Sequence, residues 1–97
     1  VQKLLKDSRI NPATLNSEAL ILASKNGRTE VVRELIKDRR SHPAEWHNEA
    51  IYLASENGHA EVVIELLKDS RVNPADRGNA AIYRACENGH LQVVKAL

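Results

Sequence analysis

One spacing runs through the whole of this 97-residue sequence and limits what the chain can fold into. The pair Asn-Gly begins at residues 26, 57 and 88, and both this pair and the three prolines recur every 31 residues. Shifted by 31 residues, the chain superposes on itself without a gap. A fixed period of this length predicts a stack of small repeated units, each of which buries its apolar side against the next.

The middle unit shows what each repeat is expected to form. Asn48 predicts the start of a first helix, because its side-chain oxygen can accept a free backbone N–H, and Glu49 then suits the helix dipole. Gly58 is expected to end this helix in the left-handed conformation. An apolar stripe over residues 61–67 predicts a second helix, and an extended connection of about ten residues that includes Pro74 follows. Neither helix is long enough to be stable alone.

The segments around each Asn-Gly pair resemble the second half of an ankyrin repeat. Residues 56–67 read Glu-Asn-Gly-His-Ala-Glu-Val-Val-Ile-Glu-Leu-Leu, and residues 25–36 and 87–97 follow the same pattern. The resemblance implies an all-α, ankyrin-like repeat solenoid of stacked helix-turn-helix units with short connecting loops. The period of 31 is shorter than the family's usual 33 or so, and the Thr-Pro-Leu-His opening is absent. We therefore expect loops that are shorter or less regular than β-hairpin fingers.

The repeat boundaries predict a single array over residues 1–97. Val1 to Lys6 align with the middle of a second helix, and Leu97 stops inside another. Because a solenoid needs polar end caps, we expect this array to be part of a longer one. The predicted units are a partial repeat over 1–12 and repeats over about 13–43, 44–74 and 75–97, the last incomplete.

Composition excludes several classes of function. The net charge of +1, from 14 basic and 13 acidic residues, argues against a dedicated nucleic-acid or membrane-surface binder. No apolar run approaches the roughly 20 residues that a membrane span needs. Cys86 is the only cysteine, so there is no internal disulfide, and we expect a reducing, intracellular and cytoplasmic location.

The sequence predicts no catalytic site, metal site or cofactor. His59 and His90 stand where an ankyrin-like repeat uses the imidazole to brace a loop, so we interpret both as structural. His42 and His47 lack the further closely spaced ligands that Zn²⁺ requires. Cys86 aligns with serines in the other units and is interpreted as a small packing residue. No phosphate loop or nucleophile motif is present, and we expect no small-molecule substrate.

Positions that differ between units are the candidates for recognition, because positions common to all units serve stacking. We call the residues at one position of successive repeats a column. Three columns vary most and are predicted to lie in the loop before each first helix, and a fourth lies on the first helix. The ankyrin resemblance implies that such positions line the loop tips and the first-helix groove where partners bind. The predicted partner-binding residues are Thr14, Leu15, Lys25, Glu45, Trp46, His47, Glu56, Asp76, Arg77 and Glu87.

Two features of the loops have alternative interpretations. Trp46 is either an aromatic anchor for a partner or an indole that packs back on the neighbouring repeat. Arginines recur along the loops and could form an edge that binds anions. The neighbouring aspartates favour the alternative, a solvated rim in which the charges compensate each other. These arginines are Arg9, Arg39, Arg40 and Arg71.

These observations predict a protein–protein interaction scaffold without catalysis. Its partner would be another protein, bound through loop tips and the first-helix groove, with no nucleic acid or membrane involved. The alternative is a targeting or substrate-recruitment module of a larger protein whose catalytic or effector domain lies outside this chain. A fold of this kind does not by itself distinguish the two.

Overall fold

The computed structural model describes residues 12–38, 43 and 45–97, apart from the side chains of 12–14, 45–47 and 77–78. Within that part of the chain the secondary structure is entirely helical, as the sequence predicted. The helices are α1 (Pro12–Lys25), α2 (Thr29–Lys37), α3 (Glu45–Glu56), α4 (Ala60–Leu67), α5 (Asp76–Glu87) and α6 (Leu91–Ala96).

The helices form three antiparallel pairs that stack in one direction. The first helices α1, α3 and α5 make one layer, and the second helices α2, α4 and α6 make the other. The resulting body measures 42 × 23 × 20 Å. The predicted helix-turn-helix solenoid is therefore confirmed.

The core between the layers is aliphatic and rich in alanine. Leu20, Ile51 and Leu66 are fully buried and supply much of the apolar volume. Ala54 and Ala85 stand at the same position of neighbouring repeats and are fully buried, which lets the helices approach closely. Because the repeat has no Phe or Met, close packing of small and branched side chains supplies the stability of the stack.

Each first helix ends in a glycine turn of one kind. Gly58 has φ +78°, its N–H donates to the carbonyl of Ser55, and the N–H of His59 donates to the carbonyl of Ala54. These two bonds define a Schellman motif, and the same pair recurs after α1 and α5. The predicted left-handed glycine is confirmed.

The two histidines brace these turns, which confirms their structural interpretation. His90 Nε2 lies 3.0 Å from the carbonyl oxygen of Glu56 in the preceding repeat. Its ring also covers Gly58, where an added Cβ would come within 2.7 Å of Nδ1. His59 covers Gly27 in the same way, at 2.6 Å. Each imidazole therefore packs on the turn of the repeat before it.

The first helices begin earlier than the sequence predicted. The middle one starts at Glu45, and Asn48 lies inside it with φ 61°, a left-handed conformation that asparagine tolerates. Its side-chain oxygen accepts the backbone N–H of Asn73, at 2.8 Å, in the following connection. The prediction that Asn48 caps its own helix was therefore wrong: this side chain joins two repeats.

The packing interpretation of Cys86 was also wrong. Its counterparts Ser24 and Ser55 are fully buried because the next repeat covers them. Cys86 is exposed on the last described repeat. The same column is thus buried or exposed according to whether another repeat stacks on it.

Candidate functional site

One side of the first helices remains open to solvent, and we call it the first-helix face. Its members recur at i, i+3, i+4 and i+7 in α1, α3 and α5, which places them on the same side of each helix. The opposite side is buried in the stack. The first-helix face consists of Glu18, Ile21, Leu22, Lys25, Glu49, Tyr52, Leu53, Glu56, Ala80, Tyr83, Arg84 and Glu87.

Apolar side chains make up much of this face. Leu22 is 60% exposed and Tyr83 is 66% exposed. Ile21 and Leu53 are half-buried and, with two glutamates of the face, line a shallow groove of about 390 Å³ between α1 and α3. Large apolar side chains held open along one face are typical of surfaces that bind another molecule.

A polar network joins α3 to α5 across the same face. The Tyr52 hydroxyl donates to Glu56 Oε2 at 3.4 Å and accepts from Arg84 Nε at 3.2 Å. Arg84 also donates through Nη1 to Glu87 Oε1 at 2.7 Å. The bonds to Tyr52 and Glu87 raise the pKa of Arg84 above its ordinary value. Arg84 is therefore held in place and its charge is balanced within the face.

Three predicted partner-binding residues lie on the first-helix face. Lys25, Glu56 and Glu87 occupy one column of the three repeats, and the first and last of them are exposed. Leu15 lies near the start of α1 and is half-buried. The structure thus brings the predicted first-helix column together with the apolar groove.

The other predicted positions lie in the first turns of the first helices, so their assignment to loops was wrong. Asp76 opens α5 and accepts a hydrogen bond from Asn48 Nδ2 at 2.8 Å, which ties two repeats together. The remaining predicted side chains fall outside the described part of the structure. They are Thr14, Glu45, Trp46, His47 and Arg77.

Sequence reasoning missed the apolar part of this face. Ile21, Tyr52 and Tyr83 form one column, and Leu22 and Leu53 belong to the next. Both columns vary between repeats and lie three or four residues before the predicted column of Lys25. That helical spacing was the signal that could have identified them.

Arg71 is the loop arginine that lies within the described residues, and its charge is compensated by a neighbouring aspartate. Arg71 donates to Asp69 through Nη2 at 2.6 Å and through Nε at 3.0 Å. This ion pair lowers the pKa of Asp69 and raises that of Arg71. Arg9, Arg39 and Arg40 lie outside the described residues.

Two features are absent from the described residues. Nowhere in them do three or more His, Cys, Asp or Glu side chains gather as a metal site would require. None of their helices combines the length and apolar character needed to span a membrane.

Comparison with known proteins gives a family. The sequence pattern of a family described as ankyrin repeats (3 copies) matches residues 1–74 and again residues 20–97. The two matches together cover the whole chain. No curated protein and no solved structure matches it.

Proposed function

Because the chain belongs to the ankyrin repeat family, we propose that it is a scaffold that binds a partner protein through its first-helix face. Repeats of this family are generally protein–protein interaction modules and are typically not catalytic. The partner would lie across α1, α3 and α5 and contact the three repeats at once.

The observation that carries this proposal is the exposed apolar surface of the first helices. Leu22 and Tyr83 are both more than half exposed, and Ile21 and Leu53 line the shallow groove between α1 and α3. Binding that covers these side chains would remove apolar surface from water, which is the main driving force of association. The columns also differ between repeats, as selective recognition requires.

The adjoining first turns extend the proposed surface. Trp46 stands at the start of α3 and is proposed as an additional aromatic anchor, since tryptophan is enriched among residues that dominate binding energy. Glu45, His47, Thr14 and Arg77 occupy the same turns and would form its polar rim. The proposed surface also includes Leu15 and Asp76, which lie in the first turns of α1 and α5.

The test compares matched substitutions on the two layers. Partners are captured with the wild-type chain, identified by cross-linking and mass spectrometry, purified and titrated by calorimetry. We expect Leu22→Ala, Tyr83→Ala or Trp46→Ala to weaken binding by roughly 2 kcal/mol or more. Ile64→Ala is the control, because Ile64 is 47% exposed on the second helix α4.

Lys68→Ala, at the end of α4, is a second control and should hardly change affinity. Equal losses for Leu22→Ala and Ile64→Ala would show that the first-helix face is not the binding surface. A fall in melting temperature for Trp46→Ala at unchanged affinity would assign that indole to packing.

A further inference from the structure

We propose that this chain associates head to tail with further copies of itself, through the two ends of the helix stack. The last repeat (α5 and α6) of one copy would pack on the first repeat (α1 and α2) of the next copy, as one repeat packs on another within the chain. The inference goes beyond the proposed function, because this contact lies at the ends of the stack and the first-helix face lies along its side. Successive copies would join their first-helix faces into one longer surface.

The first repeat exposes one half of the interface that joins neighbouring repeats. Val62 in α4 and Val93 in α6 are fully buried, whereas Val31 in α2, at the same position of the first repeat, is 49% exposed. The first repeat differs from the others in that no described helix pair precedes it. The preceding repeat therefore covers this column, and Val31 presents the apolar side on which such a repeat would pack.

The last repeat exposes the other half of the same interface. Val32 and Val63 are fully buried, whereas Val94, the next member of their column, is half-buried. Leu91 is 60% exposed, and it lines a shallow depression together with Val94 and Gly89. The following repeat therefore covers this column, and the two ends of the stack carry complementary halves of one interface. Such halves at opposite ends make a head-to-tail contact between copies.

An ion pair between repeats also has its two halves at the ends of the stack. Glu65 Oε1 accepts from Arg33 Nη2 at 3.2 Å in the preceding repeat, and from a lysine three residues on in its own helix. Glu34 holds the position of Glu65 in the first repeat and accepts from Lys37 Nζ at 3.3 Å. Lys95 holds the position of Arg33 in the last repeat. Lys95 of one copy would therefore meet Glu34 of the next, and their opposite charges favour this register.

The glycine turn of the last repeat is open to a hydrogen-bond donor from another copy. Within the stack, His90 covers Gly58, and its Nε2 lies 3.0 Å from the carbonyl oxygen of Glu56, the last residue of α3. The Cβ position of Gly89 is open, and Arg28 is the residue of the first repeat that holds the position of His90. Because a guanidinium carries only donors, Arg28 can bond the carbonyl at the end of α5 in the same way.

The experiment uses two variants that each disable one end of the stack. Val31→Glu places a charge in the contact at the first repeat, and Leu91→Glu does so at the last. Both positions are exposed and lie in the first turn of a helix, where an acidic residue suits the dipole, so we expect both variants to fold. Ile64→Glu is the matched control, because Ile64 is 47% exposed in the middle repeat.

Sedimentation velocity gives the average mass over about a hundredfold range of concentration. We expect the mass of wild type and of Ile64→Glu to rise above 10.8 kDa with concentration, since a head-to-tail contact leaves an open end at each step. Val31→Glu alone and Leu91→Glu alone should associate at least about tenfold more weakly, because the contact would bury a charge. A mixture of the two should stop at twice 10.8 kDa, since only one pair of intact ends remains.

Two further measurements on this mixture test the direction and the register of the contact. Mixing should slow the reaction of Cys86 with N-ethylmaleimide in the Val31→Glu chain and leave it unchanged in the Leu91→Glu chain, because only the former has its last repeat covered. Lys95→Glu added to Val31→Glu should weaken the mixed dimer. Glu34→Lys added to Leu91→Glu should then restore it, because the ion pair is reversed.

Three results would overturn the inference. They are a wild-type mass that stays at 10.8 kDa throughout, association that Val31→Glu leaves intact, and a mixture of the two variants that remains monomeric. Failure of Glu34→Lys to restore the mixed dimer would contradict the assigned register. None of these results bears on partner binding through the first-helix face, which Leu22→Ala tests separately.

Discussion

The contacts between glycine turns and histidines show at single residues how one repeat holds the next. Gly58 and Gly89 have almost the same backbone conformation, with φ +78° and +74°. His90 lies against Gly58, but nothing lies within 4 Å of the Cβ position at Gly89. The two glycines therefore separate the cost of a left-handed backbone from the cost of displacing the imidazole.

Gly58→Ala should destabilise the chain more than Gly89→Ala. Both substitutions place an L-residue at positive φ, which costs about 1–2 kcal/mol. Only Gly58→Ala also pushes against His90 and its contact with Glu56, a loss of about 1 kcal/mol more. Urea unfolding of both variants measures the difference. Equal losses would mean that the imidazole moves aside without cost.

A buried serine offers a route to higher stability. Ser55 Oγ is fully buried and has no hydrogen-bond partner among the described residues. Ser55→Ala removes an unsatisfied hydroxyl and should raise the free energy of unfolding by about 1 kcal/mol. Ser70→Ala, at an exposed position, should leave it unchanged. Thermal unfolding followed by circular dichroism tests this, and a lower melting temperature for Ser55→Ala would reveal a bond made by that hydroxyl.

Pairs of helices depend on small residues at their contacts and on ion pairs at their surface. The alanine column of Ala54 keeps the first and second helices close together. On the second helices, Glu65 Oε1 accepts from Arg33 Nη2 at 3.2 Å and from Lys68 Nζ at 3.1 Å. Arg33 lies in α2 and Glu65 in α4, so this ion pair connects two repeats.

Ala54→Leu should cost about 1–3 kcal/mol, because three extra carbons cannot fit without displacing a helix. Ala80→Leu is the matched control on the first-helix face and should change stability by less than about 0.5 kcal/mol. Denaturant unfolding gives both values. An unchanged denaturant midpoint for Ala54→Leu would show that the helices can move apart at this position without loss of stability.

The ion pair of Glu65 should make part of the stability depend on pH. The bonds from Arg33 and then Lys68 lower the pKa of Glu65 below its ordinary value of 4.5. Its ionised form therefore stabilises the fold above that ordinary value, and the contribution is lost as the pH falls through the lowered pKa. Glu65→Gln should melt below wild type at about pH 7 and converge with it near about pH 2.

Glu61→Gln provides the comparison for the ion pair, since Glu61 is an exposed residue of the same helix. Its melting temperature should differ less from wild type at neutral pH. If the deficit of Glu65→Gln stayed constant from neutral to acidic pH, the ionised carboxylate would not be its cause.

Across the whole molecule, the last described repeat presents a surface that the earlier repeats bury. Cys86 and Leu91 are exposed there, and the Cβ position of Gly89 is open. These residues lie with Ala85 and Val94 around one shallow, mainly apolar depression. In the earlier repeats, the corresponding surface is covered by the repeat that follows.

Extending the chain by one designed repeat should stabilise it. The extension is a copy of residues 67–97 placed after Leu97, with serine in place of its cysteine. It adds one more interface between neighbouring repeats, so we expect a higher melting temperature. The thiol of Cys86 should react with N-ethylmaleimide at least about tenfold more slowly, as burial limits access.

An extension of the same composition in scrambled order serves as the control and should protect Cys86 little. Equal alkylation rates for the ordered and scrambled extensions would contradict stacking on this surface. The rates are followed by mass spectrometry of the intact chain.

The sequence by itself determined the repeat length, the pairing of helices, the glycine turns and the role of the histidines. The first three depend on local chemistry that recurs in every unit, namely helix periodicity and the left-handed preference of glycine. The role of His59 and His90 was implied by the ankyrin resemblance, since the first unit has Arg28 and no histidine after its glycine. The family could be identified because the segments around the Asn-Gly pairs repeat one pattern. Helical periodicity is also the reason that the predicted column of Lys25, Glu56 and Glu87 lies on the first-helix face.

Only the tertiary structure decided which side chains are covered and which partners they meet. Asn48 bonds to the next repeat and not to its own helix, and Glu65 pairs with Arg33 from the repeat before it. Cys86 is exposed where Ser55 is buried, although both hold the same position in their repeats. Burial and pairing in a stack depend on the neighbouring repeat, and a residue's own sequence context contains no information about whether that neighbour is present.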